Sequence, residues 1–200
     1  MARTKAAEYD ERKHAIVVAA ASLFASEGFE GASVSGIAER GKITKSLIYH
    51  YYKSKEDILY DVMISHVRDL ENAANEAVAE KDWLPARKLR ELAHRFMALY
   101  VGAADRHKVL LNDLKRLPKA RRAEIVGVQR RLIETVQTLL IEIEPSLKHK
   151  AGKSFAAAML FFGAINWTHT WFDPKGAVSA GALAEMAVDL TLGGIAKAAE

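Results

Sequence analysis

The chain has 200 residues, a formal net charge of +4 and no cysteine. Its length suits one large domain or two small ones with a sound apolar core, and the missing thiols exclude disulfides, thiolate zinc sites and thiol redox switches. Half the residues are apolar, 27% are charged and only four are proline, a composition that favours helices over sheets.

An all-α protein of about nine helices is therefore expected. The opening stretch "MARTKAAEYDERKH" lacks the apolar segment of a signal peptide. The apolar run "FAAAMLFFGAINW" stops short of the roughly 18 residues a membrane span needs and reads as a buried helix. The expectation is a soluble, cytoplasmic protein with no membrane partner.

In chain order, a first helix starts near Asp10 and carries Ile16, Ala20, Leu23 and Phe24 on one apolar stripe. Gly28 is suited to end it in a left-handed conformation. Ser33 can cap a short second helix whose buried face is Val34, Ile37 and Ala38, closed by Gly41. Thr44 can cap a third, with Leu47, Ile48 and Tyr51 sharing the inward face. Ser54 and Asp57 have capping-box spacing and open a long fourth helix through Ile58, Leu59, Val62, Met63, Val67 and Leu70. Beyond Glu80, the breaks "DWLP", "AADRH", "LP", "EPS" and "FDPKGAVS" divide the remainder into about five helices.

Three short helices joined by tight turns are the pattern of a helix-turn-helix, although other three-helix units share it. Charge adds a direction. From Met1 to Lys55, nine Lys and Arg face six acids, and from Lys115 to Arg131 seven face Glu124 alone. An anionic partner fits both clusters.

The segment "TKSLIYHYYKSKEDIL" gathers polar-tipped side chains onto the third helix. Thr44, Lys45, Ser46, Tyr49 and His50 form a set able to reach base edges and phosphates, and the following lysines, Lys53 and Lys55, suit a duplex backbone. The same residues also fit a plainer reading, with the tyrosines covering the core and the lysines solvated. The layout and local charge favour double-stranded DNA.

"AASLFASEGFEGASV" and "SVSGIAERGKITKSLIYHYYKSKEDIL" resemble the first helix and DNA-binding region of the TetR/AcrR family of bacterial regulators over Ala15–Leu59. The resemblance implies a DNA-binding domain at 1–54 and an effector-binding and dimerisation domain at 55–200. It also implies base or phosphate contacts from Thr44, Lys45, Ser46, Tyr49 and His50, a phosphate on Lys55, and Ser33 near the DNA backbone. Three positions depart from the family pattern: Gly36 lies inside the second helix, Lys42 stands where glycine is frequent, and Leu47 replaces a common Thr or Ser.

"LLNDLKRLPKARRAEIVGVQRR" and "FFGAINWTHTWFDPKGAVSAGALAEMAVDLTLGGI" are similar to the branch of that family governing fatty-acid, phenylacetate or steroid breakdown, whose effectors are acyl-CoA thioesters. His169 and Thr170 depart from the basic residue that many members carry there. The resemblance implies an apolar slot involving Phe96, Tyr100, Trp167 and Trp171, and cations for the nucleotide phosphates among Arg116, Arg121 and Arg122. Ordinary core packing and solvated arginines are the competing reading. The resemblance further implies a homodimer built from the last two helices.

The seven histidines are dispersed and no nucleophile motif or phosphate-cradling glycine loop is present. No metal or cofactor site is expected, and the protein is expected not to be an enzyme. The working reading is a ligand-responsive transcriptional repressor on a palindromic operator. The alternatives are the same fold answering another apolar small molecule, an all-helical enzyme, or a protein-protein adaptor.

Overall fold

The computed structural model describes residues 2–150 and 152–199. Among the described residues there are nine α-helices and no strand. They are α1 Ala2–Gly31, α2 Val34–Gly41, α3 Lys45–Tyr51, α4 Lys55–Ala79, α5 Pro85–Gly102, α6 Ala104–Asp113, α7 Lys119–Ile143, α8 Lys153–Asn166 and α9 Ala180–Ala199. The chain forms two compact units, one from Met1–His66 with Asp105–Ile125, the other from Val67–Ala104 with Val126–Glu200. The helix α4 contributes to both, changing unit after His66.

In the first unit, the expected stripe of α1 is buried: Ile16, Ala20, Leu23 and Phe24 are all at most 3% exposed. The helix begins well before Asp10. Gly28 interrupts it with φ 73° and ψ 163°. This is a positive φ as expected, but in an extended region open to glycine rather than in the left-handed helical well. A further turn runs on to Gly31.

Two glycines let α2 come close to α1. A Cβ on Gly36 would lie 3.1 Å from Leu23 Cδ2, and one on Gly41 would lie 3.0 Å from Ala19 Cβ. A side chain at Gly36 would crowd Leu23, a contact that favours glycine inside α2 against its low helix propensity. The left-handed residue that ends α2 is Lys42 (φ 52°, ψ 40°), not Gly41. Its N–H and that of Ile43 satisfy the last carbonyls of α2, as a terminating turn must.

The second unit has a continuous apolar core drawn from α4, α5, α7, α8 and α9, with Leu89, Leu92, Phe96, Val136, Leu140, Phe161 and Val188 fully covered or nearly so. Arg90 of α5 pairs with Glu185 and Asp189 of α9. The expectation that "FAAAMLFFGAINW" forms a buried helix is corrected on one side only. Along α8, Ala158, Phe161, Phe162 and Ile165 are buried while Phe155, Met159 and Leu160 are exposed. The helix is apolar all round and only part of its circumference meets the core. Met186 and Leu190 of α9 are exposed as well. No helix among the described residues is long and apolar enough to cross a membrane.

Candidate nucleic-acid interface

The helices α2 and α3, with the turn Lys42–Thr44, form a helix-turn-helix. Both helices start on a hydroxyl. Ser33 Oγ accepts the Gly36 N–H at 3.0 Å and Thr44 Oγ1 accepts the Leu47 N–H at 3.1 Å, which satisfies donors that would otherwise be orphaned. Each hydroxyl also has a hydrogen of its own to donate.

On α3, Ile48 is buried, Leu47 and Tyr51 are half-buried, and Lys45, Ser46, Tyr49 and His50 face solvent. Positions 45, 46, 49 and 50 are neighbours at helical spacing. Together with Thr44 at the helix start they make one exposed face carrying an ammonium, hydroxyls, a phenol and an imidazole. Those groups include donors and acceptors matched to phosphates and to base edges in a major groove.

The three tyrosines of the segment have three different environments. Tyr49 is 59% exposed. Tyr51 lies against Tyr9 of α1, ring centroids 4.6 Å apart, and its ring is nearly perpendicular to that of His50, 5.2 Å away. Tyr52 is buried and donates its hydroxyl to Asp61 Oδ2 at 2.6 Å, a carboxylate that Lys13 also approaches at 2.7 Å. Burial first, and then the Asp61 carboxylate, push the Tyr52 phenol well above its ordinary pKa. The tyrosine cluster is therefore part core and part surface.

Two hydrogen bonds of Asp57 close the α3–α4 turn. Asp57 donates its N–H to Ser54 Oγ at 3.1 Å, and its Oδ2 accepts the Lys53 N–H at 3.1 Å. Arg121 donates to the other Asp57 oxygen and lies over the Tyr60 ring at 5.0 Å. Partial burial pushes the Asp57 carboxyl up, but the bonds from Arg121 and Ser54 outweigh it and hold the group below its usual value. Lys55 points inward: its Nζ donates to the Phe29 and Ala32 carbonyls at 2.6 and 2.9 Å.

The residues expected around an effector fall into separate surroundings. Arg116 pairs with Glu30 and Arg121 with Asp57, all within the first unit, and Arg122 is half-buried on the first turn of α7. Phe96 and Tyr100 belong to the second unit, buried and stacked with each other at 6.2 Å; Phe96 also stacks on Phe162 at 6.0 Å. Burial pushes the Tyr100 phenol above its ordinary range. Trp167 and Trp171 instead face solvent, each edge-on to a near neighbour, His169 and Phe172. The structure thus joins Phe96 to Tyr100 and leaves the two tryptophans outside that cluster.

An open groove of about 420 Å³ lies between α8 and α9, lined by Leu147, Ala157, Leu160, Ala187, Leu190 and Ile195 among others. Its apolar lining was written in the sequence as small and large apolar residues, but nothing in the sequence showed that they would stay uncovered. A buried pair, His66 and His107, with Nε2 and Nδ1 3.1 Å apart, was also beyond sequence reading, since it joins α4 to α6 across 41 positions. Among the described residues no group of three or more His, Asp or Glu is placed to hold a metal ion.

Comparison with known proteins agrees with this geometry. Residues 16–62 match the family described as "Bacterial regulatory proteins, tetR family", and residues 82–195 match "Tetracyclin repressor-like, C-terminal domain". A crystal structure of a TetR-family transcriptional regulator from Bordetella parapertussis 12822 is 34% identical, with a TM-score of 0.84 over 90% of this chain and 93% of that one. The fatty acid metabolism regulator protein of Bacillus subtilis (strain 168) is 25% identical across 90% of this chain and 93% of its own length. AibR, solved in complex with isovaleryl coenzyme A and operator DNA, is 23% identical, with a TM-score of 0.77 over 90% of this chain and 97% of AibR.

Proposed function

Because the chain belongs to the TetR family of bacterial regulatory proteins, we propose that it is a cytoplasmic, homodimeric repressor released from a palindromic operator by a small effector, an acyl-CoA. It is a transcriptional regulator and not an enzyme. The observation that carries the DNA reading is the exposed face of α3. Thr44, Lys45, Ser46, Tyr49 and His50 enter the major groove, and Ser33 at the start of α2 donates to the backbone. Two-fold symmetry presents two such faces to one side of the duplex, so the two half-sites form an inverted repeat.

The dimer reading rests on α8 and α9. Leu160 and Leu190 are 75% and 74% exposed beside the apolar groove, large apolar side chains set together rather than scattered singly, as at an interaction site. A second copy covering both helices removes them from water.

The acyl-CoA reading is supported by the Bacillus relative's role in fatty acid metabolism and by a shared fold with AibR, which holds isovaleryl coenzyme A. In this chain Phe96 and Tyr100 stand in a stacked core, so an acyl chain enters beside them only in a state where that core opens. Arg116 and Arg121 meet phosphates only by exchanging Glu30 and Asp57 for them. An effector acting this way shifts an equilibrium by its affinity difference between two states.

The test is a selection from random duplexes with the purified protein, followed by footprinting with and without a panel of acyl-CoAs. Enrichment of an inverted repeat, protected on one face and released by a thioester, is the expected outcome. Enrichment with indifference to every thioester discards the acyl-CoA, and no enriched sequence discards the regulator's proposed interface.

A further inference from the structure

We propose that Lys55 serves operator binding as a positioning residue, by clamping both tethers of the recognition helix α3, and not as a ligand for a DNA phosphate; this rests on the reading above that α3 meets the duplex. Two of the ammonium's three N–H groups point into the protein, donating to Phe29 O at 2.6 Å and Ala32 O at 2.9 Å. The ammonium also sits 4.2 Å from the centroid of the Phe29 ring, within cation–π range. The side chain is half-buried.

The accepting carbonyls belong to the turn that ends α1, where helix geometry leaves carbonyls without partners and a cation is favourable. Lys55 is itself the first residue of α4, where its charge would be unfavourable if it stayed over its own helix start. Directed across the turn, the same charge meets the carbonyl end of another helix. That accounts for a lysine at this position without any DNA.

The consequence follows from the connectivity. Upstream, α3 hangs from α2, and the N-cap of α2, Ser33, is the residue after the clamped Ala32. Downstream, α3 runs through Tyr52 and the turn that Asp57 holds by its bonds to Lys53 and Ser54 into Lys55. One ammonium therefore joins the segment leading into the helix-turn-helix to the segment leading out of it. Phe29 extends the joint into the α1 core through Phe24, ring centroids 5.5 Å apart.

The deciding experiment compares wild type with Lys55→Met, which keeps the stem and removes the cation. Affinity is measured on the selected operator and on a scrambled duplex at several salt concentrations, at temperatures where both proteins are folded. A clamp predicts a loss of roughly tenfold or more on the operator, little loss on the scrambled duplex, and an unchanged slope of log affinity against log salt. A phosphate ligand predicts equal losses on both duplexes and a slope shallower by about 0.9, and that result overturns the proposal. An operator affinity equal to wild type, with only the melting temperature lowered, overturns it too, because the contact would then be merely structural.

Should Lys55→Met fail to fold, the wild-type chain still decides. The 15N-labelled Lys55 ammonium should give a persistent NMR signal in the free protein that keeps its shift when operator is added; a shift that moves on binding sinks the clamp. If wild type shows no preference for any duplex, the fault lies with the DNA reading and is recognised as such before the variant is considered.

Discussion

At the scale of single residues, the three tyrosines of "YHYY" divide between surface and core. Tyr49→Ala should weaken operator binding by about 1–3 kcal/mol and leave the circular dichroism melt nearly unchanged, because its ring is mostly in solvent. The hydroxyl deletion Tyr52→Phe should do the reverse, costing about 1–2 kcal/mol of stability in denaturant titration through the lost Asp61 bond. Equal effects of the two on DNA would contradict the division. Lys42→Gly should stabilise the fold by about 1 kcal/mol, since a lysine at φ 52° carries a Cβ strain that glycine lacks. Helical spacing showed which side of α3 is polar, but not which tyrosine is which. That is settled by Tyr9 and Asp61, partners brought in from α1 and α4. The inward turn of Lys55 was illegible for the same reason: its acceptors are backbone carbonyls 23 and 26 residues away.

At the scale of elements, α2 to α4 were readable because each begins on a hydroxyl cap, Ser33, Thr44 and Ser54, whereas the start of α1 carries no such mark and lies well before Asp10. The exception inside α2 shows the limit. Gly36 reads as a propensity defect in sequence and as a close approach to Leu23 in space. Contact between α4 and α6 supplies a pH prediction. Burial, followed by the charges of His107 and Arg106, pushes His66 down to about 3, so the folded chain keeps it neutral while the unfolded chain takes up a proton below about 6.5. Between those values the unfolded state binds more protons. Stability from this site is therefore complete above pH 6.5 and falls toward pH 3, at up to roughly 1.4 kcal/mol per pH unit. His66→Gln should flatten that part of the stability-against-pH curve in urea titrations, and an unaltered curve would argue against a neutral His66 as its source.

At the scale of the whole molecule, the apolar faces left open on α8 and α9 decide what an isolated chain lacks. Sequence showed the small and large apolar residues; it could not show that the core would use only one side of α8. Replacing Leu160 with Glu should weaken self-association at least about tenfold in sedimentation equilibrium, because a charge would have to be buried in the partner's apolar surface. A variant that stays as dimeric as wild type would move the interface elsewhere. The acidic partners of Arg116 and Arg121 were illegible in sequence because Glu30 and Asp57 are distant along the chain.

The central claim is that α3 reads a specific duplex and that an acyl-CoA reverses it. Fluorescence anisotropy on the chain's selected operator and a scrambled duplex, titrated with salt and then with acyl-CoAs, tests this most directly. The account predicts salt-sensitive binding confined to the operator and abolished by a thioester. Equal binding to both duplexes would contradict it.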